Sequence, residues 1–407
     1  MWARLNQSGR DGIKEVSIAF FVSRTPETMA LFNQKTGLTV LLMIGSLLVA
    51  AAYVEHGDTA SSAEREALLV IKPMRTARAA HTATLLYDGT VLIAGGFARD
   101  RESEPFASAE RYDPERGAFI ATGAMTTGRQ SHSATLLTDG RVLIVGGYDG
   151  SYLASAELYD PSTGAFAATG NMTVGRIGHR AARLNDGRVL ISGGTTAGRK
   201  LLASAELYDP ATGQFTPTGT MTIARISHTQ TVLTDGTVLI TGGTAGRRTA
   251  LKVSARAELF DPAVGAFRPV GTMILARHKH AAVLMEDERV LVVGGSDETD
   301  GRGRYDSAEI YDPATGTFME TGRLNKARFK LRTAVTLLTD GTVLVAGGAD
   351  VLEVYDPEAE RFTALQDQFD AARFFSTATL LEDGRVLIAG GYDRRIQSTA
   401  KSWIYEP

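Results

Sequence analysis

Seven glycine pairs constrain this chain more than any other feature. Gly95-Gly96, Gly146-Gly147, Gly193-Gly194, Gly242-Gly243, Gly294-Gly295, Gly347-Gly348 and Gly390-Gly391 recur along it, and the same order of residue types returns around each. The second copy runs Met125, Arg129, His132, an alternating stretch to Leu137, Asp139-Gly140, an apolar run at 142–145 and Gly146-Gly147. It continues through Glu157, Tyr159-Asp160-Pro161 and Phe166 to Thr169-Gly170. A unit of about 50 residues cannot bury its apolar face alone, so neighbouring copies must stack and the chain is an array.

Each unit holds four short strand signals. The first, 132–137 in the second copy, alternates small and apolar residues and runs into Asp139-Gly140. That pair predicts a two-residue hairpin turn with both central residues at positive φ. The second signal, 142–145, is apolar throughout, as in a strand buried on both faces. The third, 156–159, ends at Asp160-Pro161-Ser162-Thr163-Gly164, a tight turn into a fourth strand around Phe166. Four antiparallel strands at this period predict a propeller blade.

The expected fold is therefore all-β, a seven-bladed β-propeller of four-stranded antiparallel blades over 66–407. The last unit stops at Trp403-Ile404-Tyr405-Glu406-Pro407, where its third strand ends, while the apolar segment 66–72 has no unit of its own. Pairing the two predicts closure, with an N-terminal strand completing the last blade and removing an open edge.

With its Met, Arg, His, Asp-Gly and Gly-Gly order, the array resembles the kelch-repeat proteins, and among them the bacterial, galactose-oxidase-like branch. The resemblance implies a kelch-type propeller over 66–407. It also brings two activities into view. Galactose oxidase uses copper held beside a cysteine-crosslinked tyrosine and histidines, and the kelch-like sialic-acid epimerases work with charged residues around the channel. This chain has no cysteine, so the crosslink cannot form and oxidase activity is not carried over. It also lacks a Gly-rich phosphate loop, a Gly-x-Ser-x-Gly elbow and a His-Glu-x-x-His helix. The expected function is a non-catalytic scaffold that binds protein or glycan, with no catalytic residue, metal or cofactor assigned. A carbohydrate-active enzyme of the kelch class, epimerase-like or oxidase-like with its site at the channel mouth, is the alternative.

The N-terminal part reads differently. Residues 1–37 are polar and aperiodic and are expected to be unstructured, whether a leader or a cytoplasmic segment. An uncharged apolar run follows at 38–54, read as a hydrophobic helix, and a polar linker at 55–65 leads to the array. The run fits a signal peptide cleaved near Ala50 and Ala52, with Met29 as start and Lys35 as its basic flank. It equally fits an uncleaved anchor at the lower limit of spanning length. Both readings export the propeller, which is secreted or periplasmic in the first case and membrane-anchored outside the cytoplasm in the second. A formal charge of -3 gives no basic field, so nucleic acid is not expected as a partner. A monomeric propeller is expected.

Strand direction alternates, so the Asp-Gly and Asp-Pro turns share one face. The loops between strands two and three share the other face with the links between blades. These loops vary in length and charge, which makes their face the candidate for binding protein or glycan. Arg199, Lys200, Arg247, Arg248 and Lys252 form a basic sector in the third and fourth units, suited to an anionic partner. Tyr148, Tyr152, Tyr305 and Tyr392, with Phe97, are candidate exposed aromatics for stacking on sugar. Asp297, Glu298, Asp300 and Asp306 lack the spacing of a calcium loop and are read as ordinary carboxylates.

Arg129, His132, Glu157, Gly146 and Gly147 are read as scaffold, because a residue needed in every unit serves a task done in every unit. Each repeated Arg is expected to pair with the Glu of the third strand. Departures from the rule then carry more information. Leu331 and Ser376 replace the His, Lys330 and Arg332 flank the first of these, and Trp403 stands where a Glu is expected. These changes make the channel mouth asymmetric over blades five to seven, where Phe374, Phe375 and His278 are the candidate ligand seat.

Overall fold

The computed structural model describes residues 67–98, 104–247 and 250–407. The run at 38–54, with the choice between signal peptide and anchor, lies outside the described residues, as does Arg248. No helix among the described residues is long and apolar enough to cross a membrane. The chain divides into two units, Met1–Arg65 and Glu66–Pro407, and the second holds all the structure below.

Seven four-stranded antiparallel sheets make up the array. Blade 2 is representative, with strands Ser133–Leu136, Val142–Val145, Ala156–Asp160 and Ala165–Ala168. Val142 stands opposite Leu136 on one side and Tyr159 on the other. The innermost strands touch in turn around a ring: Thr82–Leu85, Ser133–Leu136, Arg180–Arg183, Thr229–Val232, Ala281–Leu284, Val335–Leu337, Thr377–Leu380 and back to the first. They enclose a central channel.

Closure follows the expected route. Leu68–Ile71 pairs antiparallel with Ser402–Tyr405 as the outer strand of blade 7, with Leu68 opposite Tyr405 and Ile71 opposite Ser402. The Glu406 N–H donates to the Ala67 carbonyl at 2.8 Å, and Asp367 Oδ2 accepts from the Leu68 N–H at 3.0 Å. The last blade thus gains its fourth strand from the start of the array.

The core lies between blades, not within them. Seven apolar clusters fill the seven interfaces; the one joining blades 1 and 2 combines Leu92 and Ala94 with Val142, Ile144 and Tyr159 around Met125. The second strand of each blade is buried along its length because both of its faces meet a neighbouring sheet.

Two local features depend on glycine. Leu137 N–H donates to the Arg141 carbonyl at 2.8 Å and Gly140 N–H to the Leu137 carbonyl at 3.1 Å, so the loop encloses three residues. Only Gly140, with φ at 85°, takes the left-handed conformation of the pair. This corrects the expected two-residue turn: Asp139 caps the loop through Oδ1 to the Arg141 N–H at 3.1 Å, and the glycine closes it as a bulge. The Gly-Gly pairs answer a different need. A Cβ on Gly146 would come within 2.8 Å of the Arg176 carbonyl oxygen and 2.9 Å of His179 Cε1, both from the next blade.

Candidate functional site

The arginine ring is fully consumed by the scaffold in six blades. Arg78, Arg129, Arg176, Arg225, Arg277 and Arg328 are completely buried. They pair with Glu110, Glu157, Glu206, Glu258, Glu309 and Glu353 of the same blade's third strand, at 2.5–2.8 Å in the first five. Arg129 also donates to the Gly146 and Ser155 carbonyls, while the second oxygen of Glu157 accepts from the Thr126 N–H at 2.7 Å. The pair therefore ties the link entering a blade to that blade's third strand. In blade 7 Trp403 replaces the Glu, and Arg373 stacks 5.5 Å from its ring and pairs with Asp370.

The histidines join each of blades 1 to 5 to the blade before it. His132 Nε2 lies 3.1 Å from Thr82 Oγ1, His179 Nε2 2.9 Å from Ser133 Oγ, and His81 Nε2 3.3 Å from Thr377 Oγ1. His280 Nε2 meets Thr241 Oγ1 at 3.0 Å. Burial, and next the nearby arginine, pushes these imidazoles below their ordinary range, His81 to about 3, so they are neutral.

The hydroxyl partner occupies the position directly after the His, and this position reveals the site. It holds Thr82, Ser133, Arg180, Thr229, Ala281, Arg332 and Thr377 in blades 1 to 7. Ala281 and Arg332 precede the two blades whose His is missing, where Leu331 and Ser376 need no hydroxyl. Arg180 precedes His228, which bonds instead to Ser192 Oγ at 3.2 Å. Two blades thus exchange a small side chain for a guanidinium, and both guanidinium groups border the channel.

Arg180 Nε donates to the His228 carbonyl at 2.6 Å, and Arg332 Nη2 to the His132 carbonyl at 2.7 Å. Neither has a carboxylate partner among the described residues. None of the seven innermost strands contains Asp or Glu. Burial lowers the Arg332 pKa to about 10; burial, and then the charge of Arg332, lowers Arg180 to about 9, and both stay cationic at neutral pH.

A rim of left-handed residues forms the mouth. Ala80, Ser131, Gly178, Ser227, Lys279, Lys330 and Phe375, two positions after each ring arginine, all have φ between 51° and 63°. Backbone bonds link them around the axis, among them Ser131 N–H to Ala80, Lys279 N–H to Ser227 and Phe375 N–H to Lys330. Below the rim lies a cavity of about 130 Å3 reached by Arg180, Arg332, His179, Lys279, Lys330 and Phe375. The Lys330 ammonium is 4.7–5.8 Å from the ring centres of Phe329, Phe374, Phe375 and Tyr392. Burial depresses the lysine's pKa, and the Asp300 charge opposes that shift.

The candidates from sequence divide into three groups. Phe375 lines the cavity, while Phe374 and Tyr392 are buried in an aromatic cluster behind it with Phe329. His278 is also buried, its Nδ1 2.7 Å from Thr244 Oγ1, and burial followed by the Lys279 charge lowers it to about 4. The expected aromatic platform is not exposed: Tyr148 and Tyr152 are half-buried against one another, and half-buried Tyr305 lies 5.4 Å from the Arg277 guanidinium. Their loops fold back onto the entry segments, which consumes the ring faces. Arg199 and Lys200 are exposed around a short 3-10 turn, and exposed Lys252 stands opposite Ala245 in a hairpin that also contains Arg247.

The blade 5 carboxylates are committed separately. Asp300 pairs with Lys279 at 2.5 Å, Asp306 with Arg323 at 3.0 Å, and Glu298 accepts from the Val253 N–H at 3.0 Å. Two broader grooves of about 440 Å3 lie on the turn face, but their charges pair with one another, as in Arg385 with Asp383 at 2.6 Å. Arg180 is the site residue that sequence reasoning missed. Aligning the position after the His across the units would have found it.

Comparison with known proteins agrees with this geometry. A family model described as the Kelch motif matches residues 131–173, most of blade 2. No curated protein matches the chain. Among solved structures, a fungal alcohol oxidase of the AA5 family in complex with copper superposes with a TM-score of 0.66 at 17% identity, covering 83% of this chain and 75% of its own. This likeness concerns the fold. The residues here do not fit a copper centre: cysteine is absent, the ring histidines turn Nε2 to hydroxyls of neighbouring blades, and the described residues contain no cluster of three metal-ligating side chains. With its repeated glycine pairs, its closed ring of seven four-stranded blades and a Kelch motif matched in blade 2, the chain folds as a kelch-type β-propeller.

Proposed function

We propose that this propeller is a recognition module, not a catalyst, that holds a glycan or protein ligand on its variable loop face and anchors it at the channel mouth. The supporting observation is the division of charge. Six ring arginines and their glutamates satisfy one another in the scaffold, whereas Arg180, Arg332 and Lys330 surround a cavity at the channel mouth. The apolar run at 38–54 further supports a location outside the cytoplasm, secreted or anchored.

A glycan array and a crosslinking screen on the full-length protein test this reading. Binding to a defined ligand class that Phe375→Ala abolishes supports it. Capture that survives this substitution, or chemical turnover of the captured sugar, overturns it. Protease treatment of intact cells tests the location: digestion of the propeller is expected, and full protection contradicts export.

A further inference from the structure

We propose that the central channel is a binding site for an oxyanion group, a carboxylate, sulfate or phosphate, clasped between Arg180 of blade 3 and Arg332 of blade 6. The inference rests on the recognition reading and names the chemistry of the part of the ligand that enters the channel.

Four observations carry it. Both arginines occupy the repeat position that holds Thr, Ser or Ala in the other five blades, so neither is demanded by the blade. They come from blades three steps apart in a ring of seven, which brings them into one channel from widely separated walls. The innermost strands lack any carboxylate, and Asp300, the carboxylate at the mouth, pairs with Lys279 and not with either arginine. The cavity beside them, at about 130 Å3, has room for a small oxyanion but little more, equal to the share of about four waters.

A structural explanation of the two arginines is weaker. Each donates one bond to a backbone carbonyl, His228 for Arg180 and His132 for Arg332. A neutral amide could make such bonds without enclosing two like charges. Half-buried cations that repel one another across a channel are unfavourable unless an anion completes the set. Guanidinium groups match planar or tetrahedral oxyanions through paired N–H donors, which a lone ammonium does not. Lys330 at the rim adds a third positive group at the entrance. Of the four aromatic rings around it, Phe375 lines the cavity and can meet a ligand's flat or apolar portion.

The test uses full-length protein at low ionic strength, with sodium phosphate, sulfate and acetate as probes in titration calorimetry and thermal unfolding. One saturable site is expected, with a rise in melting temperature on saturation. Arg180→Thr and Arg332→Gln should each weaken binding about tenfold or more, as loss of a charge-assisted bond implies. Arg268→Ser, exposed on the outer strand of blade 4, should leave it unchanged. The probe bound most tightly separates a carboxylate-bearing ligand from a phosphate- or sulfate-bearing one. Absence of saturable binding by all three probes, or equal binding by both channel variants, overturns the inference. Capture of a glycan or protein that Arg180→Thr retains would overturn the anion site while leaving the recognition reading in place. Phosphate binding with no macromolecular or glycan ligand would do the reverse.

Discussion

Arg332 Nη2 donates to the His132 carbonyl oxygen at 2.7 Å, joining residues 200 positions apart in the chain. Blade 6 thereby reaches the wall of blade 2 through the channel, and Arg332 carries its charge to the vicinity of Arg180, His132 and His179. Arg332 itself has φ at 26°, and the Ala334 N–H turns back to the Leu331 carbonyl at 2.6 Å. The entry to this blade is distorted in the segment that delivers the guanidinium.

A ligand site of this kind lowers stability when empty. Arg180→Thr restores the residue type of blades 1, 4 and 7 and removes one of two uncompensated charges. In buffer without oxyanions the variant should be more stable than the parent by about 1 kcal/mol, seen as a higher urea midpoint. A lower midpoint would mean that the bond from Nε to the His228 carbonyl outweighs the repulsion, and would make Arg180 structural.

The fold was legible because its grammar repeats. Gly146-Gly147, Asp139-Gly140 and the paired Arg129 and Glu157 recur so often that chance agreement is excluded, and the missing last strand pointed to the segment before the first unit. What stayed hidden follows from the same cause. Repetition draws attention to Arg129 and His132, which are spent inside the scaffold, whereas Arg180 is a single departure inside an otherwise ordinary strand. The turn type is not legible because Asp-Gly serves both two- and three-residue loops, and hydrogen bonding outside the pair decides between them. The burial of the loop tyrosines is hidden because sequence does not show a loop folding back, as Tyr148 does to bridge Gln130.

The buried ion pairs have an asymmetric cost. Glu157→Gln keeps an acceptor for the Thr126 N–H but leaves the Arg129 charge enclosed without a partner. Destabilisation of about 3–5 kcal/mol is expected from urea unfolding. Asp370→Asn, at the half-exposed partner of Arg373, should cost less than about 1 kcal/mol. Equal losses at the two sites would show that the six enclosed pairs do not hold the links to their blades.

The neutral histidine ring sets a pH dependence. Below its ordinary pKa of 6.5 an unfolded-state histidine takes up a proton, while His81 in the fold resists protonation until about 3. The unfolded state therefore binds more protons over that window, and stability falls as pH drops from about 6.5, with no further loss from His81 below about 3. His132→Leu, using the residue that blade 6 carries as Leu331, should flatten this dependence by about 1.4 kcal/mol per pH unit. An unchanged slope in the variant would place the proton uptake elsewhere.

Closure by the strand Leu68–Ile71 gives the last prediction. Without it Ser402–Tyr405 becomes an open edge, and Leu68 leaves the cluster that contains Leu344, Leu352, Phe369 and Trp403 between blades 6 and 7. An array whose core lies between blades loses more than one strand's share, because the seventh interface is what makes the ring continuous. Removing residues 66–72 while retaining the remainder should abolish the single cooperative melting transition and produce self-association through the exposed edge, detectable by light scattering. A chain lacking this segment that still melts in one sharp, concentration-independent step would show that six blades and a three-stranded seventh suffice to hold the ring.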